Sequence, residues 1–130
     1  MIGYVTVGTD DLDRARAFYD ALLAELGGRR LMELADNGFT LYGTGFSKPG
    51  IAVTRPYNRQ PAAAGNGNMV ALPVDARARV DSIYARALEL GASDEGPPGL
   101  RSEEGPRAFY GAYFRDPDGH KLCVFRIGPA

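Results

Sequence analysis

The residues able to do chemistry are few, and their spacing works against them. His120 is the only histidine and Cys123 the only cysteine among 130 residues. Three positions apart on a strand, the two point to opposite faces and lie about 10 Å apart. A Cys–His nucleophilic dyad is therefore out of reach. His120 reads as a solvent-facing residue just after a turn, and Cys123 as a small apolar wall residue, because a free thiol packs as a hydrophobe. Asp116 and Asp118 bracket Pro117 ahead of Gly119 and read as turn residues, not calcium ligands. From Asn37 through Val74 there is no Asp, Glu, His or Cys at all. The middle of the chain thus offers no acid–base group and no ordinary metal donor. Neither a glycine-rich phosphate loop nor a Ser–His–Asp spacing occurs. Two arginines remain: Arg55, at a strand end, is suited equally to an anionic ligand group or to the rim. Arg101, in a Gly/Pro-rich loop, reads as a solvated loop charge in preference to a side chain that helps close a ligand site.

The elements that must position these residues follow from periodicity. Residues 2–8 alternate, with Val5 and Val7 on one face and Ile2, Tyr4 and Thr6 on the other. Thr9-Asp10-Asp11 offers helix N-caps, and residues 12–26 place Leu12, Ala15, Phe18 or Tyr19, Leu22, Leu23 and Leu26 at helical spacing. Gly27-Gly28 stops that helix. Short strands are predicted over 29–35, 39–43 and 51–55, then a connector rich in Pro, Ala, Gly and Asn over 57–68. The pattern then restarts, with an alternating strand over 68–74, Asp75 as a cap, a helix over 76–90 and Gly91 at its end. Residues 92–106 hold at most a short strand and read mainly as loop. Phe109 to Phe125 is a hairpin, two aromatic and branched runs joined by Asp-Pro-Asp-Gly. Setting Tyr4 against Met69 aligns Tyr19 with Tyr84 and Leu23 with Leu88, a repeat with a period of about 65 residues. One domain over 1–130 with an internal repeat, 1–57 and 66–128, is the expected organisation.

Composition sets the outer limits. The net charge is −1 and no basic stripe stands out, so nucleic acid is not an expected partner. Nothing approaches the ~18 consecutive apolar residues of a membrane span. The first residues lack a signal peptide's charged region, and one cysteine forms no internal disulfide, so a cytoplasmic location is expected.

The aromatic strand, Arg-Asp-Pro-Asp-Gly and closing strand resemble the C-terminal hairpin of the vicinal-oxygen-chelate superfamily, the glyoxalase/bleomycin resistance protein/dioxygenase proteins. Further echoes are Asp-Leu-Asp-Arg-Ala-Arg-Ala-Phe-Tyr at the first helix, Gly65-Asn66-Gly67, and residues 94–101. The resemblance covers essentially the whole chain. It implies an α+β fold, two paired βαβββ modules forming a barrel-like cup, and a homodimer. It also implies a divalent metal held by His and Glu from four strands, acting as a Lewis acid.

Carried over residue by residue, those ligand positions fall on Tyr4, Met69 and Cys123, and the fourth strand has no donor to offer. A phenol, a thioether and a thiol make a poor set for a hard cation, so no cofactor is expected and the family metal is expected to be absent. If these positions still face the cup, period two adds Thr6, Ala71 and Phe125, and sends Val5, Val7, Val70, Leu72, Val74, Leu122 and Val124 to the helix side. Thr40, Tyr42, Arg55 and Tyr113 are further cup candidates. The expected function is binding of a small, partly apolar or aromatic molecule. The alternative is a metal-dependent lyase, isomerase or dioxygenase with non-standard ligands.

Overall fold

Alternation and helical spacing are realised in a computed structural model that describes residues 1–130. The chain divides into two compact units, Met1–Gly65 and Asn66–Ala130. In the first, β1 (Tyr4–Gly8) leads into α1 (Leu12–Ala24), followed by β2 (Arg29–Glu33), β3 (Thr40–Gly43) and β4 (Gly50–Thr54). The second repeats the plan with β5 (Val70–Pro73), α2 (Arg77–Glu89), β6 (Ser93–Leu100), β7 (Phe109–Arg115) and β8 (Lys121–Ile127). The strand orders are β1-β4-β3-β2 and β5-β8-β7-β6, so each unit is a βαβββ module with its first strand parallel to its last. The fold is α+β. Neither module closes its sheet into a barrel: four strands leave two free edges in each.

Local chemistry explains the starts and stops. Asp11 caps α1 by accepting the Arg14 amide at 3.1 Å, while the Thr9 hydroxyl both accepts the Asp11 amide and donates to its carbonyl. Gly27 takes φ 76° after the helix end, where a left-handed residue is needed. The second helix departs from expectation. Asp75 does not cap it; Ala76 stands at the N-cap with no side-chain hydrogen bond. Residues 93–100 form a strand of eight residues where at most a short one was expected. Pro97 and Pro98 are tolerated because β6 is an edge, and irregular pairing around Gly96 and Gly99 accommodates them.

Each module buries one sheet face under its helix. In the first, Val7, Ile51 and Val53 pack beneath Leu12, Ala15, Phe18, Tyr19, Leu22 and Leu23. In the second, Leu72, Ala112, Phe114, Leu122 and Val124 meet Val80, Ile83 and Ala87. The hairpin turn is held by Asp116, whose Oδ1 accepts the amides of Asp118 and His120 at 2.9 Å each, with Gly119 at φ 91°. His120 is half-buried in this turn, less exposed than its position suggested.

The segment after β4 belongs with the first module. The Asp10 carboxylate accepts the Ala62 amide at 2.9 and 3.1 Å, which lays residues 56–63 back along the end of β1. That strap, expected as a free connector, becomes a wall of the site described next.

Candidate functional site

The face of the first sheet turned away from α1 is concave and open. Register fixes its membership: Tyr4 pairs with Gly50, Thr6 with Ala52 and Gly8 with Thr54, while Leu41 sits opposite Ala52. The central strand β4 therefore contributes only Gly50, Ala52 and Thr54 to this side. Taller side chains stand on the flanking strands; they leave a trough at the Gly50 and Thr54 ends of β4 and cover Ala52 between them, which is 0% exposed. Tyr4 and Phe39 meet edge-to-face across it, ring centres 5.7 Å apart at 78°. The resulting groove has a volume of about 1030 Å³. Leu31, Met32, Leu34, Leu41 and Phe46 complete its apolar lining, and Pro56, Tyr57 and Pro61 of the strap close one side.

The groove's polar equipment is sparse. Thr6 presents a hydroxyl; the Thr54 hydroxyl is engaged, donating to the Arg55 carbonyl at 3.0 Å. Lys48 and Arg55 stand near opposite ends of β4, and Asp36 is the one carboxylate in the lining. Asn37, in the β2–β3 turn, contributes a buried Oδ1 that has no hydrogen-bond partner in the protein. No group of three or more His, Cys, Asp or Glu side chains converges anywhere in the chain. One exposed carboxylate with a phenol and a hydroxyl does not fit a divalent cation.

Two candidates face the other way. Tyr42 and Thr40 lie on the helix side of β3, in the core rather than the groove. The Tyr42 hydroxyl donates to Asp20 Oδ1 at 2.8 Å, and Thr40 Oγ1 accepts from Arg16 Nε at 2.9 Å. Asp20 is also gripped by Arg30 through two bonds of 2.8 and 2.7 Å. Arg30, with help from Tyr42, holds the Asp20 carboxyl below its ordinary value, while burial and the Asp20 hydrogen bond push the Tyr42 phenol well above its own. Alternation in Thr-Leu-Tyr-Gly would turn Leu41 to the core; the partners waiting on α1, Arg16 and Asp20, turn Thr40 and Tyr42 there instead. Phe39 and Leu41 take the open face instead, and Phe39, Asn37 and the strap residues are the groove members that periodicity did not single out.

The remaining candidates share the open face of the second sheet. Ala71 pairs with Cys123, which pairs with Tyr113, and Pro73 pairs with Phe125. Met69 and Ala71 are exposed, whereas Cys123 is fully buried. Burial pushes its thiol above the ordinary value, and a hydrogen bond with Tyr113 pulls it partway back. Phe125 stacks on Phe109, ring centres 5.1 Å apart and planes within 8°. Tyr113 carries two cations, Arg101 and Lys121, each 5.4 Å from its ring centre. Arg101 is thus anchored by the ring and by the Pro97 carbonyl, not a free loop charge.

Comparison with known proteins places this architecture. Residues 1–124 match the model of the Glyoxalase/Bleomycin resistance protein/Dioxygenase superfamily. A glyoxalase/bleomycin resistance protein from Albidiferax ferrireducens T118 is 34% identical, with 97% of this chain and 98% of that one covered and a TM-score of 0.81. A glyoxalase/bleomycin resistance protein/dioxygenase family enzyme from Burkholderia phytofirmans PsJN shares the fold at 20% identity and TM-score 0.71, covering 96% and 97% of the two chains. Glyoxalase I from Zea mays aligns at 18% identity and TM-score 0.76, covering 99% of this chain and 45% of that one. No protein of curated function matches.

Proposed function

Because the chain belongs to the Glyoxalase/Bleomycin resistance protein/Dioxygenase superfamily, we propose that it is a member that binds a small, partly aromatic molecule without the family metal. One observation carries the reading: an open trough of about 1030 Å³, walled by Tyr4, Phe39, Leu41 and Phe46 and almost free of acid–base groups. Concave, mainly apolar spaces with a few polar groups are where small ligands gain most from burial. The open face of the second module, with Met69, Ala71, Tyr113, Cys123 and Phe125, is a second contributor in this proposal. Chelation plays no part in this reading, since the side chains at hand are one exposed carboxylate with phenol, hydroxyl, thioether and thiol groups.

Calorimetric titration with a panel of small aromatic molecules tests the reading. Thr6→Trp fills the first trough and abolishes binding there; Met69→Trp does the same for the second face. Ligands that bind both variants unchanged would remove these faces as the site. Stoichiometric zinc, nickel or iron in protein purified without chelators would return the metal-dependent lyase, isomerase or dioxygenase reading. We also propose a cytoplasmic homodimer, as the family resemblance implies; sedimentation equilibrium reads its mass directly. No helix is long and apolar enough to cross a membrane.

A further inference from the structure

The open face of the second sheet carries more positive charge than its neighbouring acids balance. Strand alternation puts Tyr113, Arg115 and Lys121 on it, and Arg101 folds back onto it from just beyond β6. Arg101 has a place made for it. A Cβ at Gly96 would fall 3.3 Å from its Nη2 and 3.1 Å from Tyr113 Cδ2, and one at Gly99 would fall 3.0 Å from its Nη1. The guanidinium thus lies across two glycines of β6 and donates to the Pro97 carbonyl. It rests 5.4 Å from the Tyr113 ring centre, a distance that Lys121 Nζ matches. Both cations also act on Cys123: burial raises the thiol, while the Tyr113 hydrogen bond and these two charges pull it partway back. The acids of β6 are engaged elsewhere, Glu95 with Arg115, and Asp94 with the Tyr84 hydroxyl and the Gly96 amide. Arg101 and Lys121 take part in no ion pair, not even with Glu103 two residues from Arg101. Arg101 is exposed and Lys121 half-buried, so both meet solvent.

We infer that Arg101 and Lys121, gathered on the Tyr113 ring, form a recognition site for the anionic group, phosphate or carboxylate, of a small aromatic molecule. Arg101 supplies the planar fork that fits either oxyanion, and Lys121 adds a second charge on a flexible stem. Contact with the ring holds both cations at the face before a ligand arrives, which lowers the cost of ordering them. A platform for the aromatic body is close by. Phe125 pairs with Gly111, two residues from Tyr113, and Phe109 leans over that glycine, where a Cβ would fall 2.8 Å from its Cε1. The Phe109–Phe125 stack therefore begins about 7 Å along the strands from Tyr113. This face is shallow, so burial alone holds a ring weakly and charge carries the selection. The inference rests on the second module's face contributing to ligand binding, and adds to that reading the charge of the molecule it selects.

Phenyl phosphate, phenylacetate and benzyl alcohol share a ring and differ in charge. Calorimetric titrations of the intact chain should rank phenyl phosphate first, phenylacetate second, and benzyl alcohol at least about tenfold behind phenyl phosphate. Raising salt from about 0.05 to about 0.5 M should narrow that gap, because exposed cations are screened. Lys121→Met and Arg101→Met should each weaken phenyl phosphate about tenfold without weakening benzyl alcohol, with Arg101→Lys in between. Circular dichroism and thermal melts establish that the variants are folded. Inorganic phosphate should displace phenyl phosphate only at about tenfold higher concentration, since it lacks the ring; displacement at equal concentration would mark a site for a free anion and overturn the inference. Three probes that bind equally, and are lost in Thr6→Trp or Met69→Trp, would keep the ligand-binding reading and overturn the anion site. Phenyl phosphate binding that is lost in Thr6→Trp and unmoved by Arg101→Met and Lys121→Met would do the same. No binding of any probe would overturn both.

Discussion

Replacing Tyr42 by Phe isolates one interaction that decides how β3 faces its helix. The ring of Tyr42 is 1% exposed and stays in the core, so the substitution removes only the hydroxyl. That hydroxyl donates to Asp20 at 2.8 Å, while Arg30 keeps both carboxylate oxygens occupied at 2.7 and 2.8 Å. No buried charge is left alone when the hydroxyl goes. A hydrogen bond to an ionised acceptor contributes about 1.5–3 kcal/mol, and the 43% exposure of the Asp20 side chain puts this one at the low end, about 1.5 kcal/mol. The corresponding fall in melting temperature is about 5 °C for a chain of this size.

The pH dependence carries the sharper test. The Tyr42 phenol is raised above 10.0 in the folded state. Its stabilisation is whole below that value and is lost as pH rises through the folded one, because the unfolded chain ionises first. Asp20, lowered below 3.8, contributes fully above that value and loses its contribution only as pH falls through the folded one. The stability gap between wild type and Tyr42→Phe should therefore hold from pH 5 to 9 and narrow from about pH 10 upward. Urea unfolding followed by far-UV circular dichroism measures it, there being no tryptophan to follow. Equal stabilities at neutral pH, or a gap that does not change between pH 8 and 11, would refute the assignment. Ligand binding should be unaffected, since the side chain lies on the helix side of the sheet.

Asp116→Ala removes the acceptor for two turn amides and should cost about 2–3 kcal/mol, with Asp116→Asn milder, by urea denaturation. Cys123 is fully buried and its thiol is raised, so a disulfide-exchange reagent at pH 8 should react at least about tenfold slower than with a free thiol. Denaturant should release one rapidly reacting equivalent.

Much of the fold was legible because its signals are local and redundant. The caps around Asp11, the stop at Gly27 and the turn built on Asp116 each depend on residues within four positions of one another, and the repeat doubled every signal. Strand facing was legible where polar and apolar residues alternate, as in β1. It failed in β3, where Thr40 and Tyr42 are amphipathic and their partners Arg16 and Asp20 lie more than twenty residues away. Residues 93–100 were illegible for another reason: two prolines and two glycines argue against a strand, yet a free edge makes few demands on its outer hydrogen bonds. The groove's strap was hidden too, because one long-range bond from Asp10 to Ala62 fixes it and periodicity carries no trace of that.

The two modules share a plan but treat their open faces differently, and small side chains account for the difference. In the second module the rings satisfy one another: Phe109 stacks on Phe125, and Tyr113 is taken by Arg101 and Lys121. Its central strands carry Cys123 and Phe125 on this face, which leaves little depth. In the first module β4 carries Gly50 and Ala52 there. At Gly50 a Cβ would lie 2.5 Å from the Tyr42 carbonyl oxygen, so the backbones pack closely and nothing projects upward. Tyr4 and Phe39 touch at their edges and cover Ala52, so the open floor is at Gly50 and Thr54. The same emptiness that removes metal donors from residues 37–74 makes room for a ring. A bulky residue placed at Thr6 should therefore close the first module's face to aromatic molecules while leaving the aromatic stack of the second intact.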